Sequence, residues 1–430
     1  MNIQLRKALA AMLAATLSAG MLTGCGSQSG SSASAGSNAS DSSSEAFTLR
    51  ISTTGETDDG LDVAMATFKE KYPNVEFEII TSPWSETRDK QLMMLSMDDY
   101  PDIGKMADWH KEFYDDGLLV NLKPEIENWD IYDNLVPGQL ERMEDGGDVI
   151  SAITFNNNTT LVLCNKDLLD QLGVDAPETF DDLAEIGRLV KETGIKSADG
   201  QNVYAASVPT GIWAAGSWIF SNGGSFMNED NTVCTVDDDA TVAAHQLMQD
   251  FVKNGWAPVP DGTADQMWLN GQIVCHFSGE WKLTESKDAG INTEVIKVPA
   301  GSTGKGISSI GGVEWGVFEG SEHKDKAIEF LEILYSHDFQ MKVDRGVTDL
   351  AIYDDPEKQA AWEESGVLDA KMKQKEQLSD TRFNYMENCV DYPEGSKIYK
   401  AALERILINM EDPKTVLTEA AAQINEGLAR

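Results

Sequence analysis

The sequence predicts an α/β protein of two lobes, and two observations predict it. The hydrophobic period switches from two residues to about 3.6 and back within the first part of the folded body. Strand-like and helix-like segments then go on alternating along a chain of 430 residues, a length sufficient for two domains.

The first switch lies at residues 47–82. Alternation in Phe47–Thr53 puts Leu49 and Ile51 on one face of a strand, and Leu61, Ala64, Met65 and Phe68 then recur at helical spacing. Pro73 and Asn74 break that helix, after which Val75, Phe77 and Ile79 alternate again. Strand, helix and strand in so short a stretch form a βαβ unit, which requires a parallel pairing and a crossover. A second helix with Leu92, Met93 and Leu95 leads to "YPDIGKM", a short buried strand. Thr179, followed three residues later by Asp182, resembles a capping box in front of Leu183, Ile186, Leu189 and Val190, and Gly194 stands where that helix should stop. "DKAIEFLEILYS" predicts another amphipathic helix. The tail from 356 reads as mostly helical, with Ala401, Leu403, Ile406 and Leu407 as an apolar stripe.

Ahead of this body, residues 22–45 read "LTGCGSQSGSSASAGSNASDSSSE". Arg6 and Lys7 are the only charged side chains before Cys25, and an uncharged run from Ala8 to Leu22 follows them. That layout is a signal peptide, 1–24, too short for a membrane span of about 20 residues. Leu22-Thr23-Gly24-Cys25 resembles a bacterial lipobox, in which the cysteine sulfur receives a diacylglycerol and the chain is cut before it. The resemblance implies lipidation at Cys25 and a mature chain 25–430. Two acyl chains hold a protein at a membrane, and the Ser/Gly-rich stretch of 25–45 is a tether with a mean reach of roughly 25 Å.

The formal net charge is −38, with 72 acidic against 34 basic residues. Such a chain repels phosphate backbones, which excludes nucleic acid as a partner and favours solubility at a crowded surface. Beyond Cys25 stand Cys164, Cys234, Cys275 and Cys389, far apart and without zinc-ligand spacing. An exported chain can pair two of them, but the sequence does not say which, and buried free thiols are the expectation. Enzyme signatures fail: no G-x-S-x-G, no H-E-x-x-H, and in "STGKG" the P-loop pattern is broken. No cofactor is expected.

Four stretches occur together and in order: "FKEKYPNVEFEI" with "YPDI" after it, "CNKDLLDQLGVDAPETFDDL", "NGQIVCHFSGEW" and "HKDKAIEFLEILYSHDFQ". This ordered set, spanning nearly all of 47–350, resembles the family 1 extracellular solute-binding proteins, the sugar receptors of bacterial ABC importers. Val274 and Cys275 stand where that family usually has Ala-Met, and Cys164 where tyrosine is common. The resemblance implies a type II periplasmic-binding-protein-like fold: two α/β lobes, a ligand cleft between them and three hinge crossings. Carried over, lobe 1 is 46–153 plus 314–345 and lobe 2 is 154–307 plus 349–430. The crossings fall near Thr154–Asn157, at 308–313 and at 346–348.

A sugar offers hydroxyls at its rim and an apolar C–H face, so its receptor needs aromatic platforms with amides, carboxylates and arginines around them. Loop positions after predicted strands or in glycine-punctuated stretches nominate Trp84, Trp109, Trp213, Trp218, Trp281 and Trp315 as platforms. Glu56, Asp108, Asn157, Asn158, Glu314, Arg345 and Asp349 are the polar candidates. Trp129, Trp256, Trp268 and Trp362 read as structural. The expected function is a lipid-anchored, monomeric receptor on the outer face of the cell membrane that hands a carbohydrate to ABC permease subunits. An anchored glycan-acting enzyme and a receptor for a non-sugar solute such as a peptide are the alternatives.

Cys25→Ser tests the anchor. Cells fed a labelled fatty acid should label the parent chain and hold it in the membrane fraction, whereas the variant should lose both. A labelled, membrane-bound variant contradicts the lipobox reading.

Overall fold

The computed structural model describes residues 46–54, 60–107, 109–135, 143, 148–156, 158–344, 347–384 and 394–429. The first strands form as the alternation requires. β1 (Phe47–Thr54) and β2 (Val75–Ser82) pair in parallel from Phe47 opposite Val75 to Thr54 opposite Ser82, joined through the helix Leu61–Lys71. β3 (Ile103–Met106) adds on the other side of β1, also parallel. β11 (Glu314–Val317) then runs antiparallel between β3 and β4 (Ile153–Thr154), so the first sheet has the order β2-β1-β3-β11-β4.

Both faces of this sheet are covered. Leu49, Ile51 and Ile103 share one core with Phe68 of the helix 61–71 and with Phe330 and Leu331 of the helix Lys324–Tyr335. Met106, three residues from Ile103, points the other way, to Leu95 and Phe113. Each buried Phe or Leu here contributes about 1.5–3 kcal/mol, which is what holds helices on both sides.

A second sheet, β7-β8-β6-β9, is made of β6 (Leu161–Asn165), β7 (Tyr204–Ala206), β8 (Ile273–Ser278) and β9 (Thr293–Ile296). Its core contains Trp218, Phe180 and Phe251 and is separate from the first. The helix Phe180–Thr193 starts at the capping box: Asp182 N donates to Thr179 Oγ1 at 3.1 Å and Thr179 N to Asp182 Oδ2 at 2.9 Å. It ends at Gly194, whose φ of 62° suits a residue without Cβ. The helices Glu394–Leu407 and Pro413–Leu428 close this core from the C-terminal side. Their stripe differs by one position from the sequence expectation: Ala402, not Ala401, is buried with Leu403, Ile406 and Leu407. Ala401 lies on the outer face.

A small third sheet links the two. β5 (Asn158–Thr159) pairs antiparallel with β10 (Ser308–Gly311), and β12 (Thr381–Phe383), a strand the helical reading of the tail missed, pairs parallel with β10. Thr154 still belongs to the first sheet, so the chain leaves that sheet between Thr154 and Asn158 and returns to it between Gly311 and Glu314. A third passage runs from the helix His337–Lys342, in the first half, to the 3-10 turn Leu350–Asp354.

One buried imidazole ties the C-terminal helices to the second core. His245 on the helix Asp239–Lys253 has Nδ1 at 2.8 Å from Thr241 O and Nε2 at 2.8 Å from Tyr399 Oη. A carbonyl only accepts, so Nδ1 carries the proton and Nε2 accepts from the tyrosine. Burial pushes this group down to about 4, with the Thr241 carbonyl opposing. The unfolded chain binds a proton near pH 6.5 and the folded one only near 4, so the contribution is complete above pH 6.5 and is lost as pH falls through that window. Urea titrations should show a loss of about 3 kcal/mol from this residue between pH 7 and 4. The parent should therefore lose more stability across that range than His245→Gln. Identical pH slopes for the two proteins contradict the assignment.

Candidate functional site

The strand directions decide where a ligand can bind. In the first sheet, β11 is antiparallel to both β3 and β4, so the carboxyl ends of β1, β2, β3 and β4 lie at one edge together with the start of β11. In the second sheet, Ser278 at the end of β8 pairs with Leu161 at the start of β6, and β7 runs parallel to β8. The carboxyl ends of β7 and β8 therefore lie at the edge from which β6 departs, next to β5. Both carboxyl edges flank the passages between the sheets. Crevices outside the carboxyl ends of strands are where α/β sheets bind ligands.

Two tryptophan pairs stand at these edges. On the first sheet, Trp84 opens the helix Trp84–Ser96 directly after β2, and Trp109 opens the helix Trp109–Asp115 after β3. Their ring centroids are 5.5 Å apart at 51°. Trp84 is 37 % exposed, unusual for so large an apolar ring. Trp109 is held in orientation: its Nε1 donates to Gln91 Oε1 at 3.0 Å, and buried Gln91 donates in turn to Lys105 O at 2.9 Å and Ser52 Oγ at 3.2 Å. Arg88 Nη2 reaches both oxygens of Glu112, at 2.8 and 2.6 Å, and ties the two helices together.

On the second sheet, Trp213 and Trp281 have centroids 5.7 Å apart at 54°, and both are half-buried. Trp213 begins the helix Ile212–Ser221, and its indole lies against the backbone of Gly311. A Cβ at Gly311 would come within 2.5 Å of Trp213 Nε1. Ser309 Oγ donates to Trp213 O at 2.8 Å. Trp281 sits in the 3-10 turn Glu280–Lys282 after β8, its ring folded over Gly279, where a Cβ would lie 2.0 Å away. Glycine at 279 and 311 is thus a requirement of close approach by the two indoles.

Beneath this pair runs a polar scaffold. His276 on β8 contacts Ser207 Oγ through Nδ1 and Asp265 Oδ1 through Nε2, both at 3.1 Å, and stacks on Trp268. Hydrogen bonding from His276 holds the Asp265 carboxyl well below its usual range; partial burial opposes this, and Lys282 at 2.9 Å reinforces it. With Asp265 ionised, Nε2 carries the proton, and Nδ1 accepts from Ser207. Ser207 is 3 % exposed and its oxygen accepts from Phe277 N at 2.9 Å. A serine, histidine and aspartate are connected here, but the hydroxyl is buried and committed, so the set fixes β8 and offers no nucleophile. Glu280, next to Trp281, forms a buried ion pair with Lys371.

Four nominated residues, Glu56, Asp108, Asn157 and Arg345, lie outside the described residues, as does Cys25. Trp84, Trp109, Trp213 and Trp281 are brought to the two edges, and Asn158 lies between them, opposite Gly311 on β10. The other nominations are corrected. Trp218 is fully buried among Phe180, Phe251 and Phe277, at 4.7, 5.2 and 5.0 Å. Five positions after Trp213, it sits about 140° around the helix, on the core side. Trp315 is fully buried against Phe155, because β11 is an interior strand covered on both faces. Glu314 beside it is 1 % exposed and gives no open surface. Asp349 is a capping residue: Oδ1 accepts from Ala351 N at 2.8 Å and Oδ2 faces His337 Nδ1 at 3.3 Å. Trp129, Trp268 and Trp362 are buried, and Trp256 is half-buried against the second core.

Gln91 and Gly311 position the site and carry no motif. The polar run "STT" at the end of β1, with Thr53 and Thr54 buried and Lys105 Nζ 3.1 Å from Thr54 Oγ1, was the one readable sign of a polar floor. Among the described residues no group of His, Cys, Asp or Glu is arranged to hold a metal ion, and no helix is long and apolar enough to cross a membrane.

Residues 53–341 match the family described as bacterial extracellular solute-binding protein. The galactooligosaccharide-binding protein of Bacillus subtilis (strain 168) is 25 % identical over 395 residues, covering 85 % of this chain and 86 % of that protein. The ABC substrate-binding protein Lmo0181 from Listeria monocytogenes, in complex with cycloalternan, superposes with a TM-score of 0.78 at 18 % identity, over 90 % of this chain and all of that one. Maltose-bound T. maritima MalE3 gives 0.74 at 20 % identity, over 88 % of this chain and 98 % of that one. The fold is the two-lobed type II periplasmic-binding-protein fold.

Proposed function

This chain belongs to the bacterial extracellular solute-binding protein family, and from that premise we propose that it captures an oligosaccharide between its lobes and hands it unchanged to an ABC permease. Closure of one lobe on the other traps the sugar, and the lipid on Cys25 keeps the receptor at the membrane. The observation that carries this reading is the pair of tilted tryptophans at each sheet edge, Trp84 with Trp109 and Trp213 with Trp281.

Indole faces suit the C–H faces of sugar rings, and each such contact adds about 0.5–1.5 kcal/mol beyond area burial. Two pairs on two lobes suit a ligand of several rings better than a single ring, since each pair can take a different residue of the chain. The relative from Bacillus subtilis, named for galactooligosaccharide, supports the same class. Hydroxyl recognition would fall to polar side chains, with Asn158 and the sequence candidates Glu56, Asp108, Asn157 and Arg345.

A thermal-shift panel of galacto- and malto-oligosaccharides identifies the ligand class, because a sugar at 100 times its Kd stabilises by about 2.7 kcal/mol. With the best ligand of that panel, small-angle scattering should give a smaller radius of gyration than the free protein. An unchanged profile at saturation contradicts lobe closure.

Trp281→Ala separates platform from core. It should weaken sugar binding at least about 10-fold, since truncating an anchor costs about 2 kcal/mol or more. The melting temperature of the free protein should change less than for a core tryptophan, because the ring is only partly buried. Trp218→Ala is the contrast: a loss of about 3–5 kcal/mol in folding stability. Full sugar affinity in Trp281→Ala, with a large loss of melting temperature, overturns the platform role.

A further inference from the structure

Two of the cysteines that the sequence left unassigned meet in the second sheet. β6 and β8 are antiparallel, with Leu161 opposite Ser278, Val162 opposite Phe277, Leu163 opposite His276 and Cys164 opposite Cys275. Both cysteines point into the same core, neither has exposed surface, and their Sγ atoms are 3.7 Å apart. We propose that Cys164 and Cys275 are a disulfide site, oxidised while the chain folds outside the cytoplasm.

Register is the first argument. Directly opposed residues of an antiparallel pair have Cβ atoms about 4.5–5.5 Å apart, and a disulfide takes about 3.5–4.5 Å, so the ranges meet and a small approach of the strands closes the bond. The second is compartment: the family is extracellular, where paired thiols oxidise and persist in that state. Cys234 is also buried, on the same core.

Chemistry dictates when the bond forms. Contact with the Cys275 sulfur, together with burial, pushes the Cys164 thiol well above its usual range, and no oxidant reaches it in the folded core. Exchange therefore occurs while β6 and β8 are still open. One cysteine thiolate attacks an accessible disulfide, a small-molecule one or that of an oxidoreductase, and expels one of its sulfurs as a thiol. The second cysteine thiolate then attacks the mixed disulfide, forms the Cys164–Cys275 bond and expels the other. The protein loses two protons and two electrons, and the oxidant ends as two thiols. The finished bond staples β8, the strand that leads into Gly279 and Trp281, to its neighbour.

The test uses the full chain, unfolded with reductant, refolded in a glutathione redox buffer, then denatured with N-ethylmaleimide and mapped by mass spectrometry. The expected product is lighter than the reduced chain by two hydrogen atoms, with the Cys164 and Cys275 peptides linked and Cys234 alkylated. In Cys164→Ser the Cys275 peptide should be alkylated, and in Cys275→Ser the Cys164 peptide. Reductant should lower the melting temperature of the oxidised parent and leave both variants unmoved. Complete alkylation of Cys164 and Cys275 in the refolded parent, or a link from either to another cysteine, overturns the proposal.

Discussion

The architecture depends on one two-stranded ribbon. β4 and β11 pair at Thr154 with Glu314, and β5 and β10 pair at Asn158 with Gly311, so the outgoing and returning passages are partners on both sides. The pairing continues between: Phe155 N donates to Val313 O at 2.7 Å, and Val313 N to Asn156 Oδ1 at 2.9 Å. A ribbon of this kind fixes which strand ends face the passage and leaves the twist between the sheets as its soft coordinate. Each sheet has its own core, so bending the ribbon need not disturb either.

The third passage is fastened differently. Lys358 Nζ donates to Met341 O at 3.2 Å and Val343 O at 2.5 Å, where the helix 337–342 ends, and lies 5.4 Å from the Trp362 ring centroid. Lys371 lies 5.6 Å from the same ring and pairs with Glu280, the neighbour of Trp281. Burial pushes Lys358 down to about 8, with Asp344 opposing and Lys371 assisting. Two ammonium groups beside one indole are sustained only because carbonyls answer one and a carboxylate the other. The Trp281 turn and the end of the first half are thus joined through the helices 356–365 and 368–378.

What the sequence disclosed follows from what has a period. The β1–helix–β2 unit, the capping box at Thr179 and the helix 324–335 are local, and periodicity or capping chemistry writes them plainly. Trp218 and Trp315 show the limit. Both stand near glycines or a predicted crossing, and only the angular position on a helix or the interior position of a strand sends them inward. The second of these depends on β11 lying between β3 and β4, strands distant in sequence. Asp349 carries a cap signature only if one knows that a 3-10 turn begins after it. Gln91 orients Trp109 across two elements, and such a contact leaves no mark in either segment alone.

The tryptophans divide by what ligand binding can change. An indole such as Trp218 or Trp268 is fully buried in the folded chain before any ligand arrives, so its contribution belongs to folding and cancels from a comparison of free and bound protein. Only a ring that keeps water on one face in the free protein gains new burial when a ligand arrives. Trp84, at 37 % exposure, and half-buried Trp109, Trp213 and Trp281 are of that kind. Trp109 is held by Gln91, Trp281 by its close approach to Gly279 and Trp213 by its close approach to Gly311, so these three rings have little side-chain freedom left to lose on binding. Apolar surface left in water on a pre-organised ring is surface that a ligand can cover with almost no ordering penalty. That makes these four positions, rather than the larger number of buried aromatics, the ones where affinity can be tuned without loss of the fold.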